Sequence, residues 1–573
     1  MNKFRPIILA FSVVAAALLA YGFLTMPKPR PADHDGFSSA RVLEDIEIIS
    51  RAPHSVAHPE ELAKVREHLV GRLEEMGGDV TLYKYDSVPG AWILGDSFVF
   101  EAVDIVAEYP PLNPSDDTAY LMFIAHYDSR HILYMPKDTV LSFGAADDGY
   151  GLGVTLETVS QLLKDRGSWS QGVKVLFTDG EESGMQGMKY IWDRDHHVFD
   201  NVGLVINVEA RGTWGPALMF ETGKGNEKVM DLYASAARSP YTYSLTDVVY
   251  EYMPNRSDFT ICKDVLPGVN FSTIADINTY HTDEDNFANV SERSIQHFGA
   301  QILPFAQRYL TDPEYADKNA LRGEKDTVNF TIPLLGIFNV SKTVYLIINI
   351  AIFLLFFVLF GFEGLRGRIK AMKVFKSSCI TLFIAIGVLA VGELIAYLCA
   401  VISGATFKPF GIIQGIFFDN AVMLVSIIFL VLSMVLVYWS ARNNAVRQTS
   451  GSMRASAASN AASKYVLHQL YGTLALMFVF CAALVFTFGE NFMLLVPFAV
   501  ASIALLMWRV TNLKVWLLAA VVIILLHAFS FLFVLAMALT IGAFGVVAML
   551  AFFDLMVLIP LADLYLMPER VKK

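Results

Sequence analysis

Charged and apolar residues are distributed very unevenly along the 573-residue chain, which is too long for one ordinary domain. Residues 1–340 hold 48 of the 55 acidic side chains and 28 of the 44 basic side chains. Residues 341–573 hold only seven acidic and 16 basic side chains. Apolar residues make up 54% of the chain, above the roughly 45–50% that is usual in soluble proteins. The sequence therefore predicts an acidic, water-exposed part followed by a membrane part.

Eight apolar runs are long enough to cross the hydrocarbon core of a bilayer, which is about 30 Å thick. They lie at 6–24, 344–362, 379–402, 420–440, 467–488, 491–508, 515–535 and 541–565. The first run is longer than the apolar core of a typical cleaved signal peptide, and no small-x-small cleavage motif follows it. We therefore interpret it as a retained anchor. No clear polar break separates the last two runs between 515 and 567.

Basic residues are concentrated in alternate loops, as the positive-inside rule requires. The loops 363–376 and 441–465 are basic, whereas the loop between them, 403–418, holds only Lys408. The basic positions assigned to the cytoplasm include Lys3, Arg5, Arg454, Arg509, Lys514, Arg570, Lys572 and Lys573. This pattern predicts that both termini are cytoplasmic and that 25–342 lie on the other side. The short anchor and compact loops favour a bacterial inner membrane, with the water-exposed domain in the periplasm or otherwise outside the cytoplasm.

The segment between the first two spans alternates strand and helix patterns. Apolar runs at 119–125, 173–178, 202–208 and 217–220 predict buried strands, and 148–164 predicts a helix. This alternation is typical of an α/β fold with a mostly parallel mixed sheet flanked by helices. We expect four parts: an anchor at 1–26, the α/β domain at 27–313, a polar and irregular stem at 314–341, and a membrane domain of about seven helices at 342–573.

Five short motifs place His, Asp or Glu at the end of a predicted strand or in the loop that follows. They are Ala125-His126-Tyr127-Asp128, Gly144-Ala145-Ala146-Asp147-Asp148-Gly149, Gly180-Glu181-Glu182-Ser183-Gly184, Asn207-Val208-Glu209-Ala210-Arg211-Gly212 and Tyr280-His281-Thr282. Each motif alone is typical of a surface pair, a solvated charge run or a turn. In an open α/β sheet, however, ligands bind at the carboxyl ends of the strands. Imidazole and carboxylate suit zinc, and the four cysteines include no Cys-x-x-Cys pair for a thiolate site.

In this order, the motifs resemble those of the co-catalytic zinc aminopeptidases, whose best-known members are bacterial leucyl aminopeptidases. The resemblance covers roughly residues 115–300. One such domain ahead of several C-terminal spans also resembles the endoplasmic-reticulum metallopeptidases and the fungal vacuolar membrane proteases. The resemblance implies a zinc aminopeptidase-like fold with two Zn²⁺ per chain. It implies that His126 and Glu209 hold one zinc, that Glu182 and His281 hold the other, that Asp147 bridges both, and that Glu181 is the general base.

Further residues are candidates for supporting roles. Asp128, two residues after His126, is expected to orient that ring, and Asp285, four residues after His281, is expected to do the same there. The candidates for substrate binding are Arg211, Tyr280 and Arg256, although a surface ion pair, a packed ring and an ordinary loop residue are alternatives. The sequence departs from the family at Asp148, where Asn usually follows the bridging Asp.

The resemblance implies an exopeptidase that removes N-terminal residues from peptides on the non-cytoplasmic side by metal-activated water. A glutaminyl cyclase on the same fold is an alternative, but it would lack the first histidine, which is present here as His126. A non-enzymatic receptor or membrane-complex scaffold is a second alternative, against which the complete ligand set argues. A transporter is a third, although no Gly/Pro-broken repeat supports it. The expected partners are peptide substrates and the lipid bilayer, without nucleic acid.

Overall fold

The structure is a computed structural model that describes residues 4–24, 26–90, 95–131, 141–251, 253, 255–450 and 455–568. It divides into two compact units. The membrane unit comprises Met1–Phe23, Ile332–Leu334 and Thr343–Lys573, and the α/β unit comprises Leu24–Thr331 and Leu335–Lys342. Five basic residues of the predicted charge pattern lie outside the described residues, namely Lys3, Arg454, Arg570, Lys572 and Lys573.

A seven-stranded sheet forms the centre of the α/β unit. Its strands are β1 (Asp79–Gly90), β2 (Gly95–Tyr109), β3 (Tyr120–His126), β4 (Gly172–Thr178), β5 (Val202–Ala210), β6 (Leu218–Thr222) and β7 (Gly268–Thr273). Their order across the sheet is β1-β2-β4-β3-β5-β7-β6. Strands β4, β3, β5 and β7 are parallel, while β1, β2 and β6 pair antiparallel at the two sides. The predicted mostly parallel mixed sheet is confirmed.

Helices cover the sheet and complete its hydrophobic core. They are α2 (Ser39–Ile49), α3 (Pro59–Glu75), α4 (Gly149–Leu163), α5 (Gln186–Arg194), α6 (Glu227–Ala236), α7 (Ser244–Glu251), α8 (Phe259–Cys262) and α9 (Glu292–Thr311). All seven residues of β4 are buried, and α4 is buried along almost its whole length. A strand that is buried on both faces consists of a nearly continuous run of apolar residues. The central strands could therefore be predicted from the sequence.

The segment predicted as an irregular stem, 314–341, contains two paired strands instead. These are β8 (Thr327–Ile332) and β9 (Gly336–Ser341). Five of the six residues of β8 are buried, including the polar Thr327, Asn329 and Thr331. Thr331 N donates to Thr242 O at 3.0 Å, and Asn329 N donates to Ser244 Oγ at 3.0 Å. These hydrogen bonds satisfy polar groups that a solvated stem would expose to water, so a polar composition did not indicate a loop here.

The membrane unit contains eight helices that are long and apolar enough to cross a membrane, counted over the described residues. They are α1 (Arg5–Leu24), α10 (Lys342–Leu365), α11 (Ala371–Ser403), α12 (Asp419–Ser450), α13 (Ala455–Phe488), α14 (Phe492–Thr511), α15 (Val515–Leu539) and α16 (Phe544–Leu566). They lie over the eight predicted apolar runs. The break between α15 and α16 centres on Thr540, whose Oγ1 accepts a hydrogen bond from Ile413 N at 3.0 Å.

Helix α5 begins very close to Asp179, in the loop that follows β4. This close approach is possible because Gly187 has no side chain. A Cβ at Gly187 would lie 2.4 Å from Asp179 O and 2.2 Å from Asp104 Oδ1. We expect Gly187→Ala to destabilise the α/β unit by about 1–3 kcal/mol, because backbone must move to admit the methyl group. Gly71→Ala in α3 is the matched control, since a Cβ there meets nothing within 4 Å. Thermal unfolding of the full-length chain measures both, and equal unfolding temperatures would contradict this account of α5.

Candidate metal centre

The five predicted ligands come from separate segments that meet at one edge of the sheet. His126 is the last residue of β3, and Glu209 is the penultimate residue of β5. Strands β3, β4, β5 and β7 are parallel, so their carboxyl ends share this edge. The other three residues lie in loops: Asp147 precedes α4, Glu182 follows β4, and His281 follows β7. The topology therefore brings all five side chains together.

His126, Asp147 and Glu209 form the first group. His126 Nε2 lies 3.3 Å from Asp147 Oδ1 and 3.8 Å from Glu209 Oε2. One ligand atom from each residue lies within 4.8 Å of the others. Asn207 Nδ2 donates to Glu209 Oε1 at 3.1 Å, which holds that carboxylate with its second oxygen towards the histidine. Two carboxylates and one imidazole are thus positioned to share a cation.

Asp147, Glu182 and His281 form the second group, whose ligand atoms also lie within 4.8 Å of one another. His281 Nε2 lies 3.2 Å from Asp147 Oδ2 and 3.0 Å from Glu182 Oε1. Asp147 therefore turns one carboxylate oxygen towards each histidine. This arrangement fits a carboxylate that bridges two cations.

The ring of His126 is held in the orientation that a metal ligand requires. Its Nδ1 lies 3.0 Å from Asp128 O, and because a carbonyl oxygen can only accept, Nδ1 carries the proton. In the neutral ring, the lone pair on Nε2 then faces the carboxylates of Asp147 and Glu209. Burial acts to lower the pKa of His126, but hydrogen bonds to Asp128 and Asp147 raise it well above its ordinary value. The surroundings of Nε2 thus favour a positive charge at that position.

Asp128 positions two parts of the site at once. Its Oδ1 accepts from Glu181 N at 2.9 Å, and its Oδ2 accepts from Glu182 N at 3.2 Å. Oδ1 also lies 3.6 Å from His126 Nδ1. The sequence predicted a partner for the His126 ring, and the structure adds that the same carboxylate fixes the loop that carries Glu181 and Glu182.

The loop that carries Asp147 is held from two sides. Asp285 Oδ1 accepts from Ala146 N at 2.7 Å, and its Oδ2 accepts from Asp147 N at 3.3 Å. Asp285, predicted as a partner of the His281 ring, thus holds the backbone of the Asp147 loop. Asp148 caps α4, because its Oδ1 accepts from Gly151 N at 2.9 Å, and its Oδ2 accepts from His126 N at 3.4 Å. This gives a structural role to the position where the sequence departs from the family.

Glu181 is buried beside the two groups but belongs to neither of them. It follows Gly180, whose φ of 68° sets up the turn after β4. Burial raises the pKa of the Glu181 carboxyl well above its ordinary value, against the opposing charge of His126. The neighbouring Glu182 behaves differently, since His281 and Arg130 outweigh the effect of burial and hold its pKa below the ordinary value. The adjacent glutamates therefore occupy different electrostatic environments.

Arg130 is a site residue that the sequence analysis did not identify. It is buried, and its Nη1 donates to both Glu182 Oε2 and Glu182 O at 2.8 Å. Arg130 thus binds one carboxylate oxygen of Glu182, and the other oxygen, Oε1, faces His281 Nε2. No motif marks this arginine in the sequence. The only available signal was its position four residues after His126.

The three candidates for substrate binding are placed differently. Tyr280 stacks on His281, with ring centroids 3.6 Å apart and an interplanar angle of 25°. Arg211 follows β5 directly and is half-buried, and its backbone N donates to Thr273 O at 2.9 Å. Arg256 is exposed and donates from Nη1 to Met253 O and Asn255 O at 2.7 and 2.6 Å. Tyr280 therefore contacts a proposed ligand, whereas the described contacts of Arg256 are to its own loop.

The donor set fits divalent metal ions. Seven buried or nearly buried carboxyl groups surround the two histidines, namely Asp128, Asp147, Asp148, Glu181, Glu182, Glu209 and Asp258. Arg130 is the one cation that is paired with them in the described contacts. Burial raises the pKa of Glu209 to about 8, because a negative charge is unfavourable at this buried position. Cations bound between the two groups would offset this repulsion.

Comparison with known proteins agrees with this geometry. Residues 104–306 match the model of peptidase family M28. Endoplasmic reticulum metallopeptidase 1 of Rattus norvegicus is 28% identical over 216 residues, which are 37% of this chain and 23% of that protein. The vacuolar membrane protease of Candida dubliniensis is 25% identical over 355 residues, which are 60% of this chain and 35% of that protein. The chain thus spans about a quarter to a third of the length of these relatives.

Solved structures align with about half of this chain at low overall similarity. A Zn-dependent exopeptidase from Parabacteroides distasonis gives a TM-score of 0.38 at 18% identity and covers 48% of this chain and 97% of its own. A glutaminyl cyclase from Bacteroides thetaiotaomicron gives a TM-score of 0.39 at 18% identity, with 48% and 98% covered.

The chain therefore combines apolar helices that are long enough to cross a membrane with an α/β unit whose strand-end cluster of histidines and carboxylates could hold metal ions. The part of the α/β unit that is similar to peptidase family M28, residues 104–306, includes all five candidate ligands.

Proposed function

We propose that the chain is a membrane-bound zinc aminopeptidase that removes N-terminal residues from peptides. The observation that carries the proposal is Asp147, whose two carboxylate oxygens face His126 and His281 from different sides. His126 and Glu209 would hold one Zn²⁺, Glu182 and His281 would hold the second, and Asp147 would bridge them. Two zinc ions bound in this way would polarise the scissile carbonyl and acidify a shared water.

Glu181 is proposed as the general base. It lies next to the metal groups without belonging to either, so its carboxylate can take a proton from the attacking water and pass it to the leaving amine. Its backbone N–H donates to Asp128 Oδ1 at 2.9 Å, which fixes the backbone of the loop at this residue. Burial raises the pKa of this carboxyl group, which makes its carboxylate a stronger proton acceptor than that of an exposed glutamate.

The charge of the site favours substrates with a free N-terminus. Carboxyl groups outnumber cations around the two histidines, and Arg130 is already engaged by Glu182. A positively charged α-amino group is attracted by such a site, whereas a substrate carboxylate is repelled. This supports removal of residues from the N-terminal end. We extend the proposal to the domain boundaries and the topology: a catalytic domain at 27–313 on the non-cytoplasmic side, in a bacterial inner membrane, as the loop charges indicate.

A peptide panel tests the proposal with the purified full-length chain. Each peptide is offered with a free N-terminus and with an acetylated one, and products are identified by mass. We expect stepwise loss of N-terminal residues and a kcat/KM at least about 100-fold lower for the acetylated partner, because it lacks the cationic amine. Internal cleavage of both forms, or loss of ammonia from N-terminal glutamine without peptide cleavage, would contradict an aminopeptidase. The second outcome would indicate glutaminyl-cyclase chemistry, and no turnover of any peptide would favour a receptor or scaffold.

A further inference from the structure

The hairpin formed by β8 and β9 ends in an apolar turn. Three residues, Pro333, Leu334 and Leu335, connect Ile332 at the end of β8 to Gly336 at the start of β9. Turns that face water are usually built from Gly, Asn, Asp and Ser, whose side chains are short or polar. Here the adjacent side chains of Leu334 and Leu335 are 64% and 63% exposed. The turn therefore presents two large apolar side chains outside the protein core.

Leu334 holds a backbone conformation that leucine rarely adopts. Its φ is 67°, in the left-handed region, where a Cβ is unfavourable and glycine or asparagine is the usual residue. Either of those residues would relieve the strain, and neither would expose a large apolar side chain. Backbone strain that the sequence retains in this way is a reason to look for a function of the residue. An apolar partner for the leucine side chain would account for both properties of the turn.

The residue before the turn indicates what surrounds the tip of the hairpin. Ile332 packs against a small apolar cluster formed by Ala16 and Ala20 of α1 and Leu526 of α15. The segment Ile332–Leu334 belongs to the membrane unit together with these helices. At about 1.5 Å per residue, Ala20 lies roughly 6 Å and Ala16 roughly 12 Å before the end of α1. Ile332 therefore packs beside a part of α1 that is predicted to lie within the bilayer.

We propose that the tip of the β8–β9 hairpin inserts into the lipid bilayer, with Leu334 and Leu335 between the acyl chains of the leaflet at which α1 ends. Continuity with the spans supports this partner, because Ile332 packs on two of them and α10 begins at Lys342, directly after β9. The insertion is shallow, since apolar side chains at a membrane surface enter about 5–10 Å, to the boundary of headgroups and acyl chains. At this depth the backbone of the turn stays close to the polar headgroups. A hairpin requires this, because hydrocarbon offers no partners to backbone N–H and C=O groups.

Leu112 provides a matched position for comparison. Its side chain is 65% exposed, but it lies in the loop after β2 in the α/β unit, shortly before Asp116 and Asp117. A single exposed leucine in a polar loop is ordinary in a soluble domain. Leu112 and Leu335 are thus equally exposed, and they differ in the surroundings that the proposal gives them, which are water for Leu112 and lipid for Leu335.

Fluorescence quenching in liposomes tests this proposal with the full-length chain. Cys379, the exposed one of the four cysteines, is first replaced by serine. Leu335→Cys, Leu334→Cys and Leu112→Cys are then introduced separately and labelled with the environment-sensitive dye NBD. We expect phosphatidylcholine with a nitroxide on its acyl chain to quench most of the fluorescence at positions 334 and 335, and iodide on both sides of the membrane to quench little of it. The label at position 112 should respond in the opposite way.

The two hairpin positions report on the same environment independently, and both side chains are exposed, so their replacement removes no core contact. The proposal is overturned if iodide quenches the label at position 335 as strongly as the label at position 112, because the tip would then lie in water. It is also overturned if the label at positions 334 and 335 is protected from both quenchers, because protein rather than lipid would then cover the tip.

Discussion

Glu181→Gln is expected to lower kcat for peptide hydrolysis about a thousandfold while the zinc content of the protein stays unchanged. The amide has nearly the shape of the carboxyl group but cannot accept the proton of the attacking water. Glu181 also belongs to neither group of candidate ligands, so its replacement removes no metal donor. Steady-state kinetics and elemental analysis of the same preparation measure the two quantities together.

Glu182→Gln is the matched control, because it makes the same chemical change one residue further along the same loop. Glu182 Oε1 lies 3.0 Å from His281 Nε2 within the second group, so this variant should lose zinc as well as activity. Zinc loss in Glu181→Gln, or full activity in that variant, would show that the two adjacent glutamates have been assigned the wrong roles.

Asp147→Ala is expected to abolish activity and to release both zinc ions, which is the largest effect on metal content that a single substitution should have. Asp147 is the one residue shared by the two groups, with Oδ1 at 3.3 Å from His126 Nε2 and Oδ2 at 3.2 Å from His281 Nε2. Its loss removes a ligand from each ion and leaves two cations without the carboxylate that screens their repulsion. Elemental analysis after dialysis measures the zinc that remains.

Asp148→Asn provides the control for the neighbouring position. An asparagine retains the side-chain oxygen that caps α4 through Gly151 N, and Asp148 is not a member of either group. We expect near-normal zinc content and activity from this variant. If Asp147→Ala kept one zinc ion per chain, Asp147 would belong to a single ion, and the bridging role would be wrong.

The central fold could be read from the sequence because burial and composition agree there. Strands β3, β4 and β5 are buried on both faces and appear as continuous apolar runs, so their positions were predicted within a few residues. The convergence of His126, Asp147, Glu182, Glu209 and His281 followed from placing each motif at the carboxyl edge of one parallel sheet. The structure brings these five side chains together, and the metal-binding roles implied by the resemblance are what the variants above test.

Other features left no comparable signal in the sequence. Strand β1 is exposed at half of its positions and lies at one side of the sheet, so it shows no apolar run. Strand β8, in which polar and apolar residues alternate, was predicted as part of a stem, because its hydrogen bonds to the 242–244 segment are not visible in composition. Arg130 and Asp285 act across the site on segments distant in sequence. Spacing along the chain cannot show such contacts.

The zinc content of the purified full-length chain tests the central claim most directly. The account predicts close to two zinc ions per chain by elemental analysis after dialysis against metal-free buffer, since the two groups share Asp147 and each offers three ligands. A value near zero in a folded preparation would contradict the catalytic metal centre altogether. A value near one would contradict the paired site.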